Sequence, residues 1–206
     1  MPEIIYSDDS LVIANKPWDM LSVPGKGAEK QDCLWRRVQQ QFPTARIVHR
    51  LDYATSGIMV LALTLEAQRS LSIAFQNRET RKRYQAIVAG HVQEDSGSIE
   101  LPLRCDWENR PLQIVDFEQG KLALTHWRKL EDTPLGTRVE LTPVTGRSHQ
   151  LRVHMQAMGH PIIGDRFYAE PSQVAASKRL LLHAEYLGLP HPSTNEWLDF
   201  HISCPF

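Results

Sequence analysis

The sequence predicts an α+β fold in which helices flank a largely antiparallel, mixed sheet. Residues 97–145 consist of strand-like runs separated by turn residues. A continuous apolar run at 56–63 has the length of a strand buried on both faces. Apolar residues at helical spacing extend over two longer segments, 65–79 and 148–158. We therefore predict one α+β domain over residues 1–206.

The N-terminal part is predicted to alternate short strands and helices. Residues 4–17 are typical of two strands around an Asp-Asp-Ser turn. Residues 33–41 have a helical composition. Thr64 is placed to cap the helix 65–79, and a strand is expected at 84–92.

The C-terminal part is predicted to be mostly strands. The helix 148–158 should end at Gly159, because glycine adopts the left-handed conformation that closes helices, with Pro161 just beyond. The last forty residues favour a short helix and strands at 180–192 and 196–206. Earlier strands are expected at 97–103, 112–117, 121–130 and 137–144.

The composition is that of an ordinary globular protein. With 23 basic and 24 acidic residues the net charge is −1, which excludes a polybasic coat for nucleic acid or membrane. Three widely spaced cysteines argue against a disulfide framework and against a zinc ribbon. No basic leader and no apolar run of about 20 residues is present. These features predict a soluble cytoplasmic protein.

The segment HRLDYATSG, residues 49–57, places a lone carboxylate, Asp52, before the buried strand. His49 and Arg50 precede it closely. One interpretation is an acid that bonds the backbone N–H groups of the following turn. The other is a catalytic acid held near the mouth of the sheet.

Two further segments combine basic residues with groups suited to RNA. In NRETRKRYQA, residues 77–86, four cations precede Tyr84, a pattern that fits phosphate binding and base stacking. It fits a solvated helix end equally well. In TGRSHQLRVHM, residues 145–155, a helix would place His149 and Arg152 on one face, opposite a buried face with Leu151 and Met155.

The histidines of this region do not predict a metal site. His149, His154 and His160 have spacings of five and six residues, and no acid lies within the segment. In KRLLLHAEYL, residues 178–187, His183 alone would be interpreted as a core histidine on a strand.

Together and in this order, HRLDYATSG, KRYQA, GRSHQLRVHM and RLLLHA resemble the RluA family of RNA pseudouridine synthases. The resemblance covers nearly the whole chain. It implies a single pseudouridine synthase catalytic domain without the S4-type RNA-binding domain of several larger relatives. It also implies an isomerase that cleaves the uridine C1′–N1 bond, turns the base and rejoins it through C5.

The resemblance implies roles for particular residues. Asp52 matches the catalytic aspartate, Tyr84 the tyrosine that stacks on the target base, and Arg152 the arginine that pairs with the aspartate. Leu182 matches the apolar residue beneath the base, and Arg50 a residue that fills the gap left by the flipped uridine. The remaining candidates for substrate contact are His49, Arg81, Lys82, Arg83, Arg147, His149 and Arg179.

An isomerisation of this kind requires no redox carrier, nucleotide or metal, so we expect no cofactor. Hydrolysis of a glycosidic bond usually takes two carboxylates, whereas here the uracil never leaves and a lone acid suffices. The expected partner is RNA, in stem-loops of 23S ribosomal RNA, tRNA or both. We expect no membrane partner, no metal, and a monomer.

Two alternatives belong to other functional classes. A non-catalytic RNA-binding ribosome-assembly factor would use the same basic patches but gives no reason for Asp52. An Asp-dependent N-glycosidase would need a second carboxylate near Asp52, for which Glu66, Asp106 and Asp165 are candidates.

Overall fold

The computed structural model describes residues 2–206 and contains eleven strands and four α-helices. One short 3-10 helix is also present at Ala28–Lys30. In chain order the elements are β1 Glu3–Ser7, β2 Leu11–Lys16, α1 Leu34–Gln39, β3 Arg46–Ile47, β4 Ser56–Ala62, α2 Leu65–Gln76, β5 Arg81–Val88, β6 Ser96–Cys105, β7 Gln113–Val115, β8 Lys121–Thr133, β9 Gly136–Pro143, α3 Gln150–Ala157, α4 Pro171–Ala175, β10 Leu182–Pro190 and β11 Trp197–His201.

The chain divides into two compact units. The first unit comprises the residues up to 82 together with 184–205, and the second comprises 83–183 with Phe206. None of the helices described is both long and apolar enough to cross a membrane.

The first unit is built around β4, whose seven residues are all buried. Its strands follow the order β1-β2-β4-β10, with β11 beside β10 and β3 beside β4. The antiparallel register of β2 and β4 runs from Leu11 opposite Ala62 to Lys16 opposite Gly57. Helix α2 packs Ala67 and Leu71 onto this sheet, and the Thr64 hydroxyl caps the helix by accepting from the Ala67 N–H at 3.1 Å. The predicted strand and cap are confirmed.

The second unit contains the strands in the order β5-β9-β8-β6-β7. Pairs along this path are antiparallel, and Tyr84 on β5 lies opposite Leu141 on β9. Gly159 ends helix α3 with φ +85°, as predicted. The predicted α+β fold class, with a largely antiparallel mixed sheet flanked by helices, is confirmed.

Two element boundaries differ from the sequence prediction in a way that matters for function. Strand β5 begins at Arg81, three residues earlier than expected, so three of the four cations lie on a strand and only Arg78 lies at the end of α2. Helix α3 begins at Gln150, because His149 adopts a left-handed conformation with φ 54°. His149 is therefore the N-cap residue and not the first residue of the helix, as the predicted start near residue 148 implied.

Candidate active site

Asp52 lies in the turn that enters β4, in the first unit. The turn is closed by the Thr55 N–H, which donates to the Asp52 carbonyl oxygen at 3.1 Å. The Asp52 side chain is half-buried, whereas its neighbours Arg50 and Tyr53 are exposed. Asp52 therefore lies in the turn that precedes the fully buried β4, and its catalytic role stays a prediction.

Lys16, at the end of β2, holds this turn in place through hydrogen bonds. Its ammonium group is fully buried and donates to three carbonyl oxygens, those of Met20 at 2.6 Å, Pro17 at 3.0 Å and Tyr53 at 3.1 Å. The Met20 N–H also donates to the Tyr53 carbonyl at 3.2 Å. Because Tyr53 adjoins Asp52, these bonds tie the backbone beside the carboxylate to the end of β2.

Ser22 and His49 hold the other side of the same segment. The Ser22 hydroxyl donates to the Leu51 carbonyl at 2.7 Å, and the Leu51 N–H donates back to the hydroxyl oxygen at 3.1 Å. The Val60 N–H donates to His49 Nε2 at 3.1 Å, and the imidazole stacks on Phe75 with a centroid distance of 4.6 Å. Leu51, next to Asp52, is thereby anchored to Ser22, and His49 is anchored to β4.

His49 is a neutral imidazole in this environment. Burial lowers the pKa of His49 to about 3, and the positive charge of Lys82 adds to the effect. Since Nε2 accepts a hydrogen bond, the ring proton resides on Nδ1. His49 therefore binds the backbone of β4 and stacks on Phe75, and its contact with substrate stays a prediction.

The basic run of β5 is partly engaged within the protein. The Arg81 guanidinium lies 4.9 Å from the centre of the Trp197 ring. Burial, followed by the charge of Arg78, lowers the pKa of Lys82. In the second unit, Arg83 Nε lies 3.5 Å from a carboxylate oxygen of Glu140. Arg50 in the first unit and Arg147 in the second are exposed instead.

Arg152, on α3 in the second unit, is buried in a two-point ion pair that the sequence analysis did not predict. Its Nε donates to Asp165 Oδ2 at 2.7 Å and its Nη2 donates to Oδ1 at 2.6 Å. The guanidinium carbon also lies 5.2 Å from the Phe167 ring centre and 5.1 Å from that of Tyr168. Asp165, considered above as the second acid of a glycosidase, is therefore the partner of a buried cation.

His149 is tied to the same region of the second unit. Its Nδ1 lies 2.6 Å from the Tyr168 hydroxyl, which also accepts from the Gln113 N–H at 2.9 Å. Leu182 is buried at the start of β10, and Arg179 Nε donates to the Leu180 carbonyl at 3.3 Å. Tyr84 is half-buried on β5.

Within each unit, the structure brings several of the predicted residues near one another. In the first unit, His49, Arg50 and Asp52 share one short segment, and Lys82 lies near enough to His49 to affect its charge. In the second unit, His149 and Arg152 both contact the Phe167–Tyr168 pair. The pairing of Arg152 with Asp52 stays a prediction.

Sequence reasoning missed Lys16, and it considered Asp165 only as the second acid of a glycosidase and not as the partner of Arg152. The signal for Lys16 was a lysine at the end of the mostly apolar strand LVIANK, where a cation is buried only if it has several acceptors. The signal for Asp165 was an acid in the loop IIGDRFYA, directly after a glycine and two apolar residues.

A comparison with known families decides the class of protein to which these residues belong. A family model described as RNA pseudouridylate synthase matches residues 10–157. The chain belongs to this family. The matched segment contains Asp52, Tyr84 and Arg152, and membership makes the chain an isomerase that acts on uridine in RNA.

Individual relatives of this synthase match over almost its full length. It is 52% identical over 199 residues to a protein of Pasteurella multocida and 50% identical over 204 residues to one of Escherichia coli, both named Dual-specificity RNA pseudouridine synthase RluA. These alignments cover 96% and 98% of the synthase and 91% and 93% of the relatives.

Solved structures agree with this assignment. The synthase is 33% identical to Human RNA Pseudouridylate Synthase Domain Containing 1, with a TM-score of 0.85 over 100% of its own length and 84% of that chain. For Human RNA Pseudouridylate Synthase Domain Containing 4 the identity is 26% and the TM-score 0.77, covering 98% of the synthase and 88% of that chain. The catalytic fold predicted from the motifs is therefore present.

Proposed function

We propose that this synthase isomerises uridines in hairpin loops of both 23S ribosomal RNA and tRNA. The observation that supports the two substrate classes is the 50–52% identity, over nearly the full chain, to proteins named for dual specificity. RNA loops suit such an enzyme, because their poorly stacked bases cost less to flip and proteins recognise them by shape and by splayed bases.

In the proposed mechanism Asp52 is the catalytic carboxylate. It either adds to C1′ of the ribose or removes the C2′ proton, and in both routes the uracil anion stays bound and returns through C5. One carboxylate is sufficient because no water has to be activated. The half-buried turn held by Lys16 and Ser22 supports this role, since catalytic groups need a fixed orientation.

The other site residues act on the base and the RNA chain. Tyr84 stacks on the target uracil and takes part in removal of the C5 proton after rejoining. Arg152 stabilises the ionised form of the aspartate, because a nearby guanidinium favours a charged carboxylate. Leu182 packs beneath the base and excludes water, and Arg50 fills the gap left by the flipped uridine. Phosphate contacts fall to the exposed arginines, chiefly Arg147.

The decisive experiment compares the wild-type enzyme with Asp52→Asn on a tRNA stem-loop and a 23S ribosomal RNA fragment. Tritium release from 5-labelled uridine measures pseudouridine formation. We expect both RNAs to be substrates of the wild type, and the variant to lose about a hundredfold or more in turnover while retaining RNA affinity. Near wild-type turnover in the variant would remove Asp52 from the mechanism, and free uracil as product would indicate an N-glycosidase.

Specificity is tested in cells with and without the gene by chemical mapping of pseudouridine. Loss of one ribosomal site and one tRNA site is expected, and loss confined to one RNA class would contradict dual specificity. We further propose that the enzyme works in the cytoplasm as a monomer and needs no metal or cofactor. Full activity of chelator-treated enzyme and a single 23.6 kDa species by light scattering are the corresponding measurements.

A further inference from the structure

Asp165 is held as firmly as the guanidinium that it binds. Besides the two bonds from Arg152, its Oδ1 accepts from the Phe167 N–H at 3.0 Å. Its backbone is fixed as well, because the Asp165 N–H donates to the Ile162 carbonyl at 3.2 Å and the Ala169 N–H donates to the Asp165 carbonyl at 3.1 Å. The Asp165 side chain is fully buried and that of Arg152 is 4% exposed.

The residue before Asp165 restricts the loop further. Gly164 has φ +79°, and a Cβ atom there would lie 1.9 Å from the carbonyl oxygen of Arg179. Only glycine fits this backbone conformation and this close approach. Gly164 therefore lets the loop pass close to the Arg179 backbone, and the hydrogen bonds of Asp165 hold its carboxylate against α3.

Stability alone does not explain a buried ion pair of this kind. Taking two charges out of water is costly, and well-packed apolar residues of similar volume often serve the fold equally well. A two-point pair fixes the orientation of the guanidinium, because the two N–H···O bonds together define its plane. The Nε–Nη2 edge of Arg152 faces Asp165, so the position of Nη1 on the far side of the group is determined by that contact.

We propose that Asp165 is the positioning residue for Arg152 in pseudouridine formation. Asp165 holds the Arg152 guanidinium so that Nη1 keeps one orientation during the reaction. Asp165 is not itself a catalytic acid. The inference rests on the proposed role of Arg152 in the function above. The aromatic rings of Phe167 and Tyr168 lie beside the guanidinium and also restrict its orientation.

The test is a set of variants measured on one RNA stem-loop at saturating concentration: Asp165→Asn, Asp165→Glu, Arg152→Gln and the double variant Asp165→Asn with Arg152→Gln. A misplaced catalytic group can lower the rate by about a hundredfold. We expect Asp165→Asn to lower kcat about tenfold to a hundredfold with unchanged RNA affinity, and Asp165→Glu to recover part of the loss. Asp165→Asn should have little further effect once Arg152 is replaced, because residues that act through one another are not additive.

Thr125→Val is the matched control. Thr125 on β8 is fully buried and binds two residues of α3, since Gln150 Nε2 donates to its hydroxyl at 3.0 Å and His154 Nδ1 lies 2.9 Å from it. The variant weakens the anchoring of the same helix without touching the ion pair. It should lower Tm as Asp165→Asn does, yet leave kcat unchanged when both are assayed well below their Tm.

Two results would overturn the inference. One is a kcat for Asp165→Asn that falls no more than that of Thr125→Val, and the other is full additivity in the double variant. If Asp165→Asn does not fold, Asp165→Glu decides, because it keeps the charge and moves the carboxylate by one methylene group. Wild-type kcat in Asp165→Glu together with an inactive Asp52→Asn would reject this inference and leave the proposed function intact.

Discussion

His49 and His154 are histidines whose surroundings exclude the charged form. Burial lowers the pKa of His49 to about 3 and that of His154 to about 4, from an ordinary value of 6.5. Lys82 reinforces the shift at His49, whereas the backbone of Leu101 partly opposes the lowering of the pKa at His154. The unfolded chain therefore binds more protons than the folded one between these values and 6.5.

The free energy of unfolding should consequently fall as pH is lowered from 7 to 5. The stabilisation is complete above pH 6.5 and is lost below it, with a slope of at most about 1.4 kcal/mol per pH unit for each histidine. Urea unfolding at pH 7, 6 and 5 measures this slope, and most carboxylates stay ionised over that range. His49→Gln and His154→Gln should each flatten it, and an unchanged slope in both variants would contradict the explanation.

Replacement of Lys16 should destabilise the protein strongly. In Lys16→Met the carbonyls of Pro17, Met20 and Tyr53 lose their shared donor in a buried site. An unsatisfied buried polar group costs about 1–3 kcal/mol, so a loss of about 3 kcal/mol or more is expected. Chemical denaturation measures it. Lys16→Arg keeps the charge and several donors and should lose less, and equal losses would show that the carbonyl contacts are not the cause.

At the scale of single residues, the sequence was informative where the cause is local. Thr64 as a helix cap and Gly159 as a helix end follow from neighbours within a few positions, and both were predicted correctly. The partners of Lys16 and Arg152 were not predictable in this way. Tyr53 lies 37 positions from Lys16, and Asp165 lies 13 positions from Arg152, so only the folded chain reveals the contacts.

Among the elements, β4 depends on the glycine of the TSG sequence that opens it. Gly57 has φ +123°, and a Cβ atom at this position would lie 2.2 Å from the carbonyl oxygen of Ala184 on β10. A side chain therefore meets both backbone strain and a steric overlap between two strands of the first unit.

Gly57→Ala should prevent folding or lower the unfolding free energy by more than about 3 kcal/mol. Gly159→Ala is the matched control, since Gly159 also has a positive φ but no atom lies within 4 Å of its added Cβ. That variant should lose only about 1–2 kcal/mol, the cost of the left-handed conformation. Thermal unfolding of both proteins provides the comparison, and similar losses would show that the approach of Ala184 is unimportant.

Element boundaries were predicted less well than element types. Residues 81–83 are all cations and were not expected to lie in a strand, but β5 begins at Arg81, three residues before Tyr84, the first residue paired with β9. For helix α3 the error concerned burial, because only one face of the helix was predicted to be buried. Residues 150–155 are all buried, because the polar side chains of Gln150, Arg152 and His154 have bonding partners that a helical periodicity does not reveal.

For the molecule as a whole, a net charge of −1 requires RNA binding to depend on a few local cations. Exposed Arg147 suits a phosphate contact, and exposed Arg50, proposed to fill the gap left by the flipped uridine, also brings its positive charge to the RNA. Arg83 already lies beside Glu140. Each cation that binds a phosphate releases counterions and contributes about 0.7–0.9 to the slope of log affinity against log salt.

Arg50→Gln and Arg147→Gln should therefore each weaken RNA binding and reduce this slope by about 0.7–0.9. Arg83→Gln should change it less, because the charge of Arg83 is partly compensated by a carboxylate. Fluorescence titrations of one RNA stem-loop at several salt concentrations supply the measurement. A larger loss of slope for Arg83→Gln than for the two exposed arginines would reverse the assignment of phosphate contacts.

The fold class and the enzyme family were both predictable from the motifs, since four ordered segments carry them. The prediction of one domain over residues 1–206 and the assignments of individual site residues stay predictions. The site assignments depend on contacts with bound RNA, which the amino-acid pattern alone does not determine.

Because the Lys16 amine is fully buried, its chemical modification would report local opening of the segment around Asp52. Acylating reagents should modify the exposed amines of Lys26 and Lys178 readily, while Lys16 reacts only in molecules whose β2 end has separated from the Tyr53 carbonyl. Peptide mass spectrometry after timed labelling would then give the opening rate of the segment that carries Asp52, without any probe attached to it.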